Sequence, residues 1–129
     1  MSTETTASVS THILDTSVGR PAGGVAVSLA ARSGREGAWA ALGGSVTDAD
    51  GRCKDLPSLP EGTTHVRLDF DVETYFSKNQ AEAQQDAPRV RDSGAFFPEV
   101  AITFAVEPGE HYHVPLLLNP FGYSVYRGS

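Results

Sequence analysis

Residues 64–72, Thr64-His65-Val66-Arg67-Leu68-Asp69-Phe70-Asp71-Val72, and residues 99–106, Glu99-Val100-Ala101-Ile102-Thr103-Phe104-Ala105-Val106, decide the fold class. In both, every second residue is large and apolar and its neighbours are polar, charged or small. Side chains of an extended chain alternate between two faces, so this period of two predicts strands with one face on a core and one toward solvent. Val25-Ala26-Val27-Ser28-Leu29-Ala30 repeats the pattern. Working outward, turn formers separate such segments: Arg20-Pro21-Ala22-Gly23-Gly24, Ser33-Gly34, Asp48-Ala49-Asp50-Gly51, Pro60-Glu61-Gly62, Pro108-Gly109 and Asn119-Pro120. Strands are expected near 10–16, 25–32, 38–47, 52–56, 64–72, 96–106, 111–118 and 121–127. Eight short strands with frequent turns predict an all-β sandwich. One stretch, Glu73 to Gln85, lacks alternation and is rich in helix formers, which predicts a short helix near 73–81. Residues 82–95 are polar and are expected to form an exposed, mobile loop.

The chain has 129 residues, 40% of them apolar and 20% charged, which is the composition of a globular protein. That length predicts one domain, here 10–129, behind a flexible N-terminal segment 1–9. Ten Lys+Arg against sixteen Asp+Glu give a net charge of −6 with no basic cluster, which argues against nucleic acid or an anionic membrane as partner. Apolar runs fall far short of the ~20 residues that cross a bilayer. Met1 to Ser10 has neither a basic nor an apolar signal region, so a cytoplasmic location is expected. A single cysteine, Cys53, excludes an internal disulfide and a cysteine-rich zinc site; its expected place is in packing, with oxidation beside Arg52 as the alternative.

Four histidines offer chemistry at neutral pH: His12, His65, His111 and His113. His111 and His113 are two apart in a strand-like segment and so share a face. Three readings stay open for that pair: a solvated polar face, convergence on a site, or a zinc site completed by His12. A lone histidine such as His12 is more often structural than catalytic, and His65, alternating with Val66, is expected on a solvent face without a role. Arg52 follows Asp48-Ala49-Asp50-Gly51, and either simply starts a strand after a turn or offers its planar fork to an anionic or carbonyl-rich ligand. The Asp-x-Asp-Gly start of a calcium loop is present, but the closing Glu and flanking helices are not. Neither a phosphate-cradling glycine loop nor a Gly-x-Ser-x-Gly elbow occurs. The tail, Phe121 to Ser129, keeps strand patterning almost to its last residue and is expected to be docked. Pro115 within a strand fits an edge or a position whose N–H is not needed.

Several stretches together resemble a known family. They are Thr11-His12-Ile13-Leu14-Asp15, Gly19-Arg20-Pro21-Ala22, Asp50-Gly51-Arg52, Phe96-Phe97-Pro98-Glu99-Val100 and the long tail from His111-Tyr112-His113-Val114-Pro115 to Tyr126-Arg127-Gly128-Ser129. The chain is similar from about residue 10 onward to the 5-hydroxyisourate hydrolases, the transthyretin-related enzymes of urate breakdown. Transthyretin, a hormone carrier of the same fold, lacks the terminal Tyr-Arg-Gly-Ser and the paired histidines. The resemblance implies a transthyretin-like eight-stranded sandwich with one short helix, homotetramers with sites between dimers, and no cofactor. The implied activity is that of a cyclic amide hydrolase opening the lactam ring of 5-hydroxyisourate to 2-oxo-4-hydroxy-4-carboxy-5-ureidoimidazoline. Carried over by motif, the catalytic residues are His12, Arg52, His113 and Ser129, with His12, Arg52 and Tyr126 binding substrate. Asn119 departs from the family's usual serine, and residues 80–95 are longer than the usual link. Set against this reading stand a transthyretin-like carrier without catalysis, a zinc protein using His12, His111 and His113, and a structural sandwich with no site.

Overall fold

The computed structural model describes residues 6–83 and 95–128, with the backbone alone described for 78–83. Its elements in chain order are β1 (Ser8–Asp15), β2 (Arg20–Pro21), β3 (Ala26–Arg32), β4 (Ala40–Val46), β5 (Arg52–Cys53), β6 (His65–Asp71), α1 (Val72–Ala83), β7 (Glu99–Ala105), β8 (His111–Asn119) and β9 (Gly122–Val125). They form two sheets. One runs β2-β1-β8-β9, with β5 also paired to β1, and the other runs β4-β3-β6-β7. The apolar faces meet in a core that includes Ile13, Val27, Leu29, Val66, Leu68, Phe70, Leu116 and Leu118. All of the expected strands are present, and β2 is added within what reads as a turn, because Pro21 and Arg20 pair with Leu14 and Asp15.

The boundaries differ where side chains anchor the chain. β1 starts at Ser8 rather than residue 10. Within the segment expected to be flexible, Ala7 and Val9 are core residues and the Thr6 carbonyl accepts the Gly109 N–H. Met1 to Thr5 lie outside the described residues. The strand expected over 52–56 is only Arg52–Cys53. The helix begins at Val72, one residue early, because Asp71 caps it: its carboxylate accepts the Thr74 N–H at 3.2 Å and the Thr74 hydroxyl at 2.8 Å. Phe96–Pro98, expected in a strand, lies before β7, and the Pro98 carbonyl accepts the first N–H groups of the helix, those of Val72 and Glu73. The helix continues to Ala83, two residues beyond its expected end and into the expected loop. The rest of that loop, except Ala95, lies outside the described residues. Tyr75 ties the helix to the other sheet by donating its hydroxyl to buried Asp15 at 2.7 Å.

Two pairings position the site. β1 and β8 run parallel, with Ser10 opposite His113 and His12 opposite Pro115. β5 runs antiparallel to β1, with Arg52 opposite His12. Burial alternates along β1, so Val9, Thr11, Ile13 and Asp15 face the core while Ser8, Ser10, His12 and Leu14 face outward. On β8 the outward residues include His111 and His113.

Candidate active site

Strand register brings His12, Arg52 and His113 to one outer face of the first sheet, from three different strands. The rings of His12 and His113 are tilted by 30° with centroids 6.4 Å apart. That gap is too wide for a direct ring-to-ring hydrogen bond and leaves room for a small group between them. Both rings are half-buried, and the Arg52 side chain is exposed.

The turn before β5 fixes Arg52. The Asp48 carboxylate accepts the N–H groups of Asp50 at 2.9 Å and Arg52 at 3.1 Å. Those bonds hold the Asp48 carboxyl below the usual carboxylate range, the Arg52 N–H contributing most. Gly51 carries φ +78°, and a Cβ there would stand 2.4 Å from the Ile13 carbonyl. Its own carbonyl accepts the Ile13 N–H at 2.7 Å. Only a glycine supplies that conformation and that approach, which sets Arg52 beside His12. Cys53 next to it faces the core, and burial pushes its thiol up, as expected of a packed cysteine.

His113 has a second set of partners. The Ser10 hydroxyl hydrogen-bonds its Nδ1 at 2.8 Å and the Nε2 of His111 at 2.9 Å, and the Ser8 hydroxyl bonds His111 Nδ1 at 2.7 Å. Burial, followed by the charges of His12, Arg52 and His111, holds the His113 imidazole below the ordinary 6.5. The ring is therefore neutral at neutral pH and able to accept a proton.

The tail passes over this ring. Gly128 donates its N–H to the His113 carbonyl at 2.8 Å, and a Cβ on Gly128 would meet His113 Cδ2 at 2.9 Å. Arg127 is anchored on the opposite side, its guanidinium 4.5 Å above the Tyr112 ring and 3.5 Å from the Glu110 carboxylate. Pro115 is not at an edge, since β1 flanks it on one side and the tail on the other. The ladder of β9 ends at Val125 beside it, where proline has no N–H to give; the Tyr126 N–H still reaches the Pro115 carbonyl at 3.4 Å. Tyr126 is 58% exposed, and the register of β9, continued past Val125, sets it on the outer face with the histidines. Ser129 lies outside the described residues.

His65 is half-buried on the outer face of the second sheet, away from these residues, and bonds Thr64. Among the described residues no three His, Cys, Asp or Glu side chains are grouped to hold a metal ion, and no helix is long and apolar enough to cross a membrane. Ser10, Arg127 and Gly128 belong to the site's surroundings and were not singled out from sequence. Alternation does put Ser10 on the face of His12. Its place opposite His113 depends on pairing with a strand 103 residues away, which no local pattern reports.

The model of the HIUase/Transthyretin family matches residues 9–128. The chain belongs to this family. Among HIUase/Transthyretin relatives, 5-hydroxyisourate hydrolase of Caulobacter vibrioides is 39% identical, the match covering 94% of this chain and 97% of the relative. The Salmonella typhimurium protein of the same name is 38% identical over 94% of this chain and 80% of its own length. This chain also matches the uric acid degradation bifunctional protein TTL of Arabidopsis thaliana, 38% identical over 94% of this chain, but spans only 37% of that protein. In three dimensions it resembles Klebsiella pneumoniae 5-hydroxyisourate hydrolase, with TM-score 0.68, 35% identity, and coverage of 95% of this chain and 94% of that one. It resembles sea bream transthyretin, solved with thyroxine, with TM-score 0.74, 30% identity and 93% coverage of both chains. Family membership thus confirms the fold expected from sequence, and backbone likeness extends to both the enzyme and the carrier.

Proposed function

We propose that this chain hydrolyses the lactam of 5-hydroxyisourate, giving 2-oxo-4-hydroxy-4-carboxy-5-ureidoimidazoline. The observation that carries the reading is the gathering of His12, Arg52 and His113 on one sheet face, in a chain whose relatives named as hydrolases are 38–39% identical along most of its length. The fold alone does not separate hydrolase from carrier, because both superpose on it; the paired imidazoles beside a guanidinium favour the hydrolase.

Hydrolysis of a cyclic amide needs a base for water, donors for the oxyanion and a proton for the leaving nitrogen. Neutral His113 takes a proton from water as the water oxygen bonds to the lactam carbon. His12, across the gap, shares that work and returns a proton, received from His113 or solvent, to the ring nitrogen as the C–N bond breaks. A positioned acid or base contributes on the order of 10²–10⁴ in rate. The Arg52 fork holds the substrate's carbonyl oxygens and stabilises the negative charge that grows there. Tyr126 lies against the planar substrate, and Ser129 orients the water or the leaving nitrogen. These groups suffice without a cofactor.

The face that carries the residues is open to one side, and a homotetramer with sites between dimers would cover it. Two features support assembly: among the described residues β7 and β9 end their sheets as unpaired edges, and a cavity of about 200 Å³ lined by Ile102, Phe104, Tyr112, Val114 and Val125 opens between them. This chain is proposed to act in the cytoplasm. The test is the decay of 5-hydroxyisourate, generated in place by urate oxidase, with and without the protein and a chelator. Acceleration that survives the chelator is expected. Decay at the spontaneous rate from folded, untagged protein would overturn the hydrolase and promote the carrier.

A further inference from the structure

The Ser10 hydroxyl stands between two imidazoles, 2.8 Å from His113 Nδ1 and 2.9 Å from His111 Nε2. Beyond it the Ser8 hydroxyl lies 2.7 Å from His111 Nδ1. The four side chains alternate between β1 and β8 and run from half-buried His113 to exposed His111 and Ser8. A hydroxyl has one proton to donate, and a neutral imidazole has one N–H and one acceptor nitrogen. The donors along this row must therefore point the same way. If His113 donates from Nδ1, Ser10 accepts and donates to His111 Nε2, and His111 donates from Nδ1 to Ser8. In the reverse order His113 carries its proton on Nε2.

We propose that Ser10, His111 and Ser8 are positioning residues that form a proton relay behind His113, selecting its tautomer and carrying its proton to the protein surface. The catalytic use of this relay rests on the hydrolase reading; its existence does not. With the donors running outward, Nδ1 is engaged and Nε2 is the nitrogen free to take a proton from water. Once Nε2 is protonated, the Nδ1 proton passes to the Ser10 oxygen, the Ser10 proton to His111 Nε2, and the His111 Nδ1 proton to Ser8 and solvent. One proton enters, one leaves, and His113 ends neutral with its proton on Nε2 in place of Nδ1; the proton for the leaving nitrogen then comes from solvent through His12. The positive charge is thereby moved away from His12 and Arg52, the groups that face His113 from β1 and β5 and disfavour charge on it. Arg127, on the tail, is turned to the other side of the sheet against Tyr112.

The experiment is a long-range proton–nitrogen correlation spectrum of the ¹⁵N-labelled protein at a pH where the histidines are neutral, for wild type, Ser10→Ala and Ser10→Thr. Wild type and Ser10→Thr are expected to hold the proton of His113 on Nδ1. Ser10→Ala is expected to shift it toward Nε2, the form favoured by an unconstrained side chain. In hydrolysis, Ser10→Ala should lower kcat on the order of 10–100-fold, comparable to losing the outer partner of a metal-bound histidine, with KM little changed and threonine restoring the rate. Adding His111→Phe to Ser10→Ala should cost nothing further, because the row is already cut. An unchanged His113 tautomer in Ser10→Ala, or losses that simply multiply in the double variant, would overturn the relay. A wild type that holds the Ser10-dependent tautomer yet fails to hydrolyse would overturn the hydrolase reading and leave the relay standing.

Discussion

The imidazoles of His12 and His113 sit 6.4 Å apart although they belong to neighbouring strands in which neither is the other's register partner. His12 is opposite Pro115 and His113 is opposite Ser10. The two rings are thus offset by two residues along one sheet face, which opens a gap that direct pairing would close. At this distance charge on His12 disfavours charge on His113.

The pH behaviour follows from that arrangement. His113 is held below 6.5 in the folded chain by burial and by His12, Arg52 and His111. As pH falls through 6.5 the unfolded chain binds this proton before the folded chain does. Stability linked to His113 is therefore fully present above 6.5 and declines as pH falls further, until the folded ring is also charged. We expect its titration by NMR to have a midpoint below 6.5, and Arg52→Gln to move that midpoint upward by removing a positive charge. A midpoint unmoved by Arg52→Gln would show that the guanidinium does not act on this ring.

Arg52→Lys keeps the charge and loses the planar fork. Because the side chain is exposed, its thermal midpoint should match wild type. In the hydrolysis assay kcat/KM should fall on the order of 10²–10³-fold, comparable to removing an oxyanion donor. Near-normal turnover would remove Arg52 from the proposed carbonyl clamp.

Gly128→Ala adds a methyl group 2.9 Å from His113 Cδ2 and 3.2 Å from Pro115 Cγ. Either the ring or the tail must shift. We expect activity to fall on the order of 10–100-fold, as small misplacements of reacting groups commonly do, while the core and the melting temperature stay nearly unchanged. Full activity would mean that the position of the tail over His113 is not used.

Gly51→Ala should act through stability as well. The new Cβ would lie 2.4 Å from the Ile13 carbonyl at a backbone φ of +78°. A loss of about 1–3 kcal/mol is expected from the strained conformation alone, together with reduced turnover as Arg52 moves away from His12. Denaturant unfolding of both proteins decides this, and equal midpoints would contradict the account of the turn.

What the sequence made legible was local. Val66, Leu68 and Phe70, like Val100, Ile102 and Phe104, announce strands because alternation is a property of neighbours, and Glu73 to Gln85 stands out because alternation stops. The helix start was off by one residue because its cap is shared between adjacent Asp71 and distant Pro98. For the site, His12, Arg52 and His113 were named from motif resemblance; residue spacing left them as one reading among several. Ser10 lies outside those motifs, and Gly128 lies within one but received no role from it. One matters because a parallel strand sets it opposite His113, the other because the tail's backbone crosses that ring.

The parallel pairing of β1 with β8 also dictates an order of events during synthesis. Ser10 meets His113 only after 103 further residues have been made, which at translation rates of about 5–20 residues per second takes on the order of 5–20 s. In the other sheet β3 pairs with β4, which follows it closely in the chain, so that hairpin can close while the ribosome is still working. β1 finds β2 and β5 early, but its edge toward β8 stays unpaired until β8 arrives. The same strand that carries His12 therefore holds an open edge, able to pair wrongly with a neighbouring polypeptide, through the synthesis of some hundred residues.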